Sequence, residues 1–123
     1  MNSTKHILIV DDDDMMREFI IELLNVNDFT TTEADNGKTG LKSFRENAPD
    51  LVVTDIIMPE MEGISFIREL RNINKDIPII AMTGNVHGRM DEFLEISEKI
   101  GADAVLRKPV KNEELLNAIN SLI

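Results

Sequence analysis

The sequence predicts an α/β fold, with five parallel strands in one doubly wound sheet and helices on both of its faces. Three observations predict it. Short apolar runs alternate strictly with amphipathic stretches along all 123 residues. The connections between them are short, and right-handed crossovers then place helices on both faces of a parallel sheet. Most of the runs are apolar at consecutive positions, as strands buried on both faces require.

The first strand is "HILIV" (6–10), short, β-branched and apolar on both alternating faces. From Asp14 the period changes to that of a helix, with Met16, Phe19, Ile20, Leu23 and Leu24 on its inner stripe and Arg17, Glu18 and Glu22 elsewhere. "FTTTEA" (29–34) is β-prone but polar and suits an edge strand. Residues 36–48 read as a second helix, with Leu41, Phe44 and Ala48 on one side. "DLVVTD" (50–55) is a second apolar strand that ends in an acid, and Pro59 and Gly63 punctuate the loop after it. Ile64, Ile67 and Leu70 mark the third helix, and "IPIIAMT" (77–83) the next strand. Val86, Met90, Phe93, Leu94 and Ile100 fit a fourth helix that stops at Gly101. "ADAVLRK" (102–108) is the fifth strand, and Pro109 follows at once. Leu115, Leu116, Ile119, Leu122 and Ile123 form the inner stripe of the last helix.

This length suits one domain with one core, read here as spanning residues 1–123. Hydrophobic residues are 42% of the chain, enough to fill that core. The absence of cysteine excludes disulfides, zinc–thiolate sites and cysteine nucleophiles. No apolar run approaches the roughly 20 residues that span a bilayer, and the first residues lack a signal-peptide pattern. A cytoplasmic protein is expected. The net charge of −10 argues against direct contact with nucleic acid or an anionic membrane, and permits metal cations and basic partner surfaces.

Two doubly wound strand orders are common, the dinucleotide-binding one and the flavodoxin-like 2-1-3-4-5. A polar second strand fits the edge of the latter. In either, ligands bind at the carboxyl ends of the strands, where the order reverses. Asp11 and Asp12 end the first strand, Thr54 and Asp55 the third, Thr83 and Gly84 the fourth, and Lys108 the fifth. In the 2-1-3-4-5 order Asp11, Asp12 and Asp55 converge, and Thr83 and Lys108 approach from the other side. Carboxylates this close need compensation, which a hard divalent cation supplies. A carboxylate beside Mg²⁺ and an ammonium is also a nucleophile toward phosphorus. Asp13 and Asp14 instead read as the start of the first helix, whose positive end favours acids.

"ILIVDDD", "LVVTDIIMPEMEG", "IIAMTG" and "GADAVLRKP" resemble the receiver domain of bacterial two-component response regulators, including the single-domain chemotaxis type. The similarity runs from about Lys5 to the C-terminus, in order and near-normally spaced. The resemblance implies that Asp55 is the phosphoacceptor and that a sensor histidine kinase or phosphotransfer protein is the donor. It implies Mg²⁺ (or Mn²⁺) held by Asp12, Asp55 and the backbone carbonyl of Ile57, with Asp11 acting mostly through a metal-bound water. Lys108 would contact the phosphoryl group and Asp55. Thr83 would hydrogen-bond the phosphoryl group, beside the bared N–H of Gly84, and the Lys108–Pro109 bond would be cis. The output surface would be the fourth helix, fifth strand and fifth helix, meeting an unknown protein target.

This chain also departs from the family pattern. Val105 stands where many receivers carry the aromatic of the switch. Ile57 and Asn85 occupy the positions that tune phosphoryl lifetime. The stretch from Thr83 to Lys108 is a few residues longer than in common members, around "NVHGR", where His87 reads as a solvated loop residue. His6 is expected at the amino end of the first strand, away from the chemistry. An aspartyl-phosphate phosphatase or phosphotransferase of the haloacid-dehalogenase kind would need a carboxylate at Ile57. A flavin binder would need aromatic flanks, and the chain has no Trp or Tyr. A phosphorylation-independent interaction module would lack an acid or the lysine. The reading is therefore a phosphorylatable receiver that acts on no separate substrate. The initiating methionine and the end just after the last helix suggest a stand-alone receiver rather than an excised domain.

Overall fold

The computed structural model describes residues 4–56, 63–84 and 90–123, with side chains except at positions 90, 91, 93, 94 and 97. The elements run β1 (His6–Val10), α1 (Asp14–Val26), β2 (Thr30–Ala34), α2 (Gly37–Glu46), β3 (Leu51–Asp55), α3 (Gly63–Ile73), β4 (Ile79–Thr83), α4 (Met90–Ile100), β5 (Ala104–Arg107) and α5 (Asn112–Leu122). The five strands form one sheet in the order β2-β1-β3-β4-β5, and every pairing is parallel. Polar β2 lies at one edge, as its composition requires. Val10 stands opposite Thr54, Asp55 opposite Met82, and Thr83 opposite Arg107. The carboxyl ends of four strands are therefore level, and the groups just beyond them meet at one rim.

The core has two halves, one on each face of the sheet. Leu8, Val10, Val52 and Ala81 pack under α2 and α3, against Leu41, Phe44, Phe66, Ile67 and Leu70. Ile7, Ile9, Val53 and Met82 pack under α1 and α5, against Ile20, Leu24, Leu115 and Ile119. Burying each such Leu, Ile or Phe side chain stabilises the fold by about 1.5–3 kcal/mol. No helix among the described residues is long and apolar enough to cross a membrane.

The start of α1 divides the aspartate run. The Asp13 side chain accepts the backbone N–H groups of Met15 and Met16 at 3.0 and 3.2 Å, and Asp14 begins the helix. α2 is capped in the same way by Asn36, which accepts from Thr39 N at 2.9 Å. α4 stops at Gly101, whose φ of +116° favours glycine. There the Arg71 guanidinium donates to the carbonyls of Gly101 and Ile77 and to the Asp103 carboxylate, and so ties α3 to the chain entering β5.

Several sequence expectations need correction. Phe19 is exposed on α1, because Ile20 and Leu24 define the buried arc and Phe19 falls outside it. Ala48 is exposed beyond the end of α2, and Pro49 is buried instead. Gly63 is the first residue of α3 rather than part of the preceding loop. β4 and β5 are shorter than their apolar runs, since Ile77 is buried ahead of β4 without joining a strand. Ile123 caps α5 and is exposed. Pro59 and Val86 lie outside the described residues, as do the side chains of Met90, Phe93 and Leu94.

Candidate functional site

The rim at the carboxyl ends of β1 and β3 carries three carboxylates. One oxygen each of Asp11, Asp12 and Asp55 lies within 4.8 Å of the others. Burial separates their roles. Asp11 is fully buried, Asp55 is 6% exposed, and Asp12 faces solvent. Asp11 is tethered at every polar atom. Its N–H donates to Ala34 O at 3.1 Å, Oδ1 accepts from Asp13 N at 2.9 Å, Oδ2 accepts from Lys108 Nζ at 3.1 Å, and its carbonyl accepts from Arg17 Nη1 at 2.7 Å. Asp55 Oδ2 accepts from Lys108 Nζ at 2.9 Å.

Lys108 comes in from the end of β5 and bridges two buried carboxylates at once. Burial lowers its pKa. The hydrogen bond and charge of Asp55, followed by those of Asp11, outweigh burial and hold the ammonium above its ordinary 10.5. The Lys108–Pro109 bond is cis. Lys108 N–H donates to Thr83 O at 2.7 Å, so the β4–β5 ladder continues into the site. Thr83 is fully buried and its hydroxyl donates to the Gly84 carbonyl at 3.1 Å. Among the described residues, a Cβ at Gly84 would meet only Lys108 Cβ, at 4.0 Å.

Asp55 is also braced from behind. Ile56 N–H donates to Met82 O at 2.9 Å, and Gly63 N–H donates to Ile56 O at 2.6 Å. A Cβ on Gly63 would overlap the Asp55 carbonyl oxygen and the Ile56 backbone. Gly63→Ala should therefore push α3 away from the Asp55 turn. The expected loss is about 1–3 kcal/mol, the usual cost of overpacking, read by urea unfolding. A parent-like midpoint would show that α3 can retreat freely.

Every donor in the acidic cluster is a hard carboxylate oxygen, the type that Mg²⁺ selects. Asp11, Asp12 and Asp55 thus fit a small divalent cation. Ile57, Asn85 and His87 lie outside the described residues. Val105 is half-buried and packs against the α2/α3 half of the core. His6 sits at the far end of β1, with its ring nitrogens 2.7 and 2.6 Å from the Thr30 and Thr32 hydroxyls.

Three features of the site escaped the sequence reading. They are the Asp11–Lys108 ion pair, the grip of Arg17 on the Asp11 carbonyl, and the packing of Gly63 on the Asp55 turn. Arg17 reads in sequence only as a polar residue of α1, and nothing in its spacing announces a backbone partner.

Residues 7–120 match the family model of the response regulator receiver domain. The chain is 36% identical over 118 residues to chemotaxis protein CheY of Bacillus subtilis, covering 95% of this chain and 96% of that one. It is 34% identical over 122 residues to response regulator MprA of Mycobacterium sp. (strain KMS), covering 95% of this chain and 50% of that one. It therefore spans about half the length of such MprA relatives. Among solved structures, a response regulator receiver domain protein from Clostridium thermocellum matches with a TM-score of 0.88 and 35% identity, over 97% of this chain and 94% of that one. A CheY-like receiver domain protein from Methanospirillum hungatei matches with a TM-score of 0.89 and 29% identity, over 97% and 93%. With its sheet order, its acidic rim and its bridging lysine, the chain belongs to the response regulator receiver domains of two-component signalling.

Proposed function

We propose that the protein takes a phosphoryl group onto Asp55 from a phosphohistidine of a sensor histidine kinase or phosphotransfer protein. The observation that carries this reading is the setting of Asp55: nearly buried, 2.9 Å from Lys108 Nζ, and within 4.8 Å of two further carboxylates. An Asp55 carboxylate oxygen attacks phosphorus, and the bond from phosphorus to the donor nitrogen breaks as the acyl phosphate forms. The leaving imidazole keeps the electron pair and takes a proton from solvent. Water later attacks the same phosphorus, releasing inorganic phosphate and the Asp55 carboxylate.

Asp12, Asp55 and the Ile57 carbonyl would hold Mg²⁺ or Mn²⁺, with Asp11 acting through a water. When bound, the cation supplies positive charge that offsets the phosphoryl oxygens. Lys108 supplies a second positive charge, and its bridge to Asp11 and Asp55 orients the acceptor oxygen. Thr83 and the N–H of Gly84 serve the remaining phosphoryl oxygens. For Thr83 this means exchanging its bond to the Gly84 carbonyl for one to the phosphoryl group. That exchange biases a pre-existing equilibrium at α4, β5 and α5, the surface offered to a downstream protein. With Val105 in place of an aromatic, the response there rests on movement of Thr83 and α4 rather than on a ring swinging inward. The protein transforms no separate substrate, and its charge of −10 suits protein partners better than nucleic acid.

Incubation with Mg²⁺ and acetyl phosphate should add the mass of one phosphoryl group, and chelation of the metal should prevent it. Intact-protein mass spectrometry reads both. A parent that gains nothing from acetyl phosphate or from a phosphorylated histidine kinase would leave an interaction module independent of phosphorylation.

A further inference from the structure

We propose that Arg17 is a positioning residue for the metal-facing loop, holding the Asp11–Asp12 peptide so that the Asp12 carboxylate stays within reach of Asp11 and Asp55. The inference rests on the proposed function, in which these carboxylates bind Mg²⁺. The Arg17 side chain is only 12% exposed. It reaches three acceptors on three different parts of the chain. Nη1 donates to the Asp11 carbonyl at 2.7 Å, Nε to Glu33 of β2 at 2.8 Å, and Nη2 to Asp14 at the start of α1 at 2.6 Å. A planar guanidinium has the fixed fork of donors that such a site needs, and an ammonium does not.

The bond to the Asp11 carbonyl matters because that carbonyl belongs to the rigid peptide plane joining Asp11 to Asp12. Asp11 has three other tethers, to Ala34, Asp13 and Lys108. Asp12 is exposed, and among the described residues no side-chain hydrogen bond holds it. Its backbone alone therefore fixes where its Cβ stands, and Arg17 anchors the peptide from which it hangs. The two carboxylate partners offset the charge of the guanidinium. The bond to Glu33 holds its pKa above the ordinary arginine value against burial, and Asp14 adds to this.

Electrostatics alone predicts the opposite effect. A cation near a cation site repels the incoming ion, so removing Arg17 would tighten metal binding. Positioning predicts weaker binding. The test is calorimetric titration of MgCl₂, and in parallel MnCl₂, into the parent, Arg17→Lys, Arg17→Met and Glu33→Gln at pH 7. Thermal unfolding in EDTA checks that each is folded. Both Arg17 variants should bind about 10-fold more weakly, the lower end for loss of a group that orients a metal ligand. Arg17→Lys keeps the charge, so its loss isolates geometry, and it carries the test if Arg17→Met does not fold. Glu33→Gln should keep the parent affinity, because it spares the bond to Asp11. Arg17 variants that bind as tightly as the parent, or more tightly, would overturn the inference, leaving Arg17 a screened cation. A Glu33→Gln loss equal to that of Arg17→Met would also overturn it, since affinity would then follow the general stability of this corner. A parent that binds neither ion would overturn the metal reading itself, a failure visible before any substitution is made.

Discussion

Asp55→Asn should abolish phosphoryl uptake while leaving the fold intact. The amide has nearly the shape of the carboxylate, so the end of β3 keeps its packing and its ladder bonds to β4. What it loses is the anionic oxygen that attacks phosphorus. The neighbouring carboxylates are poor substitutes. Asp11 is fully buried and committed to Asp13 N and Lys108 Nζ, and Asp12 is exposed to solvent. The expected mass after Mg²⁺ and acetyl phosphate equals that of the untreated variant. A gain equal to the parent's would move the acceptor to another residue. The substitution also removes one negative charge from a crowded cluster, so the metal-free variant should be at least as resistant to urea as the parent.

Lys108→Met should have the largest effect on metal-free stability. Lys108 Nζ contacts Asp11 at 3.1 Å and Asp55 at 2.9 Å, and both carboxylates are nearly or fully buried. Removing the ammonium takes away the positive charge that bridges them. Truncating one partner of a buried ion pair costs about 3–5 kcal/mol. The lower figure applies, because the lysine side chain is 20% exposed and water screens part of the interaction. Urea unfolding in EDTA at pH 7 should show a loss of about 3 kcal/mol, and Mg²⁺ should restore more stability to the variant than to the parent.

The pH dependence follows from the direction of the lysine shift. The folded pKa lies above the ordinary 10.5, so the folded state holds this proton more tightly than the unfolded chain. The contribution is complete below 10.5 and is lost as the pH rises through the folded value. The difference between parent and Lys108→Met in EDTA should thus be flat from neutral pH to about 10 and shrink only above 10.5. A difference that shrinks already near neutral pH would mean that the charge on Lys108 is not what holds the two carboxylates.

Much of this was legible in the chain itself. Ile7 to Val10 and Leu51 to Val53 are apolar at consecutive positions, and a strand covered on both faces has no other composition. Thr30 to Glu33 are polar, and β2 is an edge. Asp13 caps α1 because a short acceptor ahead of a helical period finds free N–H groups. The failures share a cause. Phe19 lies beside the buried arc of α1, and Ala48 and Ile123 lie just past a helix end, where a small rotation or an early stop turns a core position into a surface one.

The sequence by itself determined the alternation of strands and helices, and with it a parallel sheet whose acids, threonine and lysine all lie at strand ends. Periodicity and end position are local properties, and residue type records them. Only the tertiary structure decided how those groups divide the work: Asp11 buried and Asp12 in solvent, Lys108 bridging to an aspartate 97 residues away, Arg17 bonded to the Asp11 carbonyl, and Gly63 against the Asp55 carbonyl. Two of these contacts are made to backbone carbonyls. Every residue has one, so nothing in the order of side chains marks which carbonyl will be used.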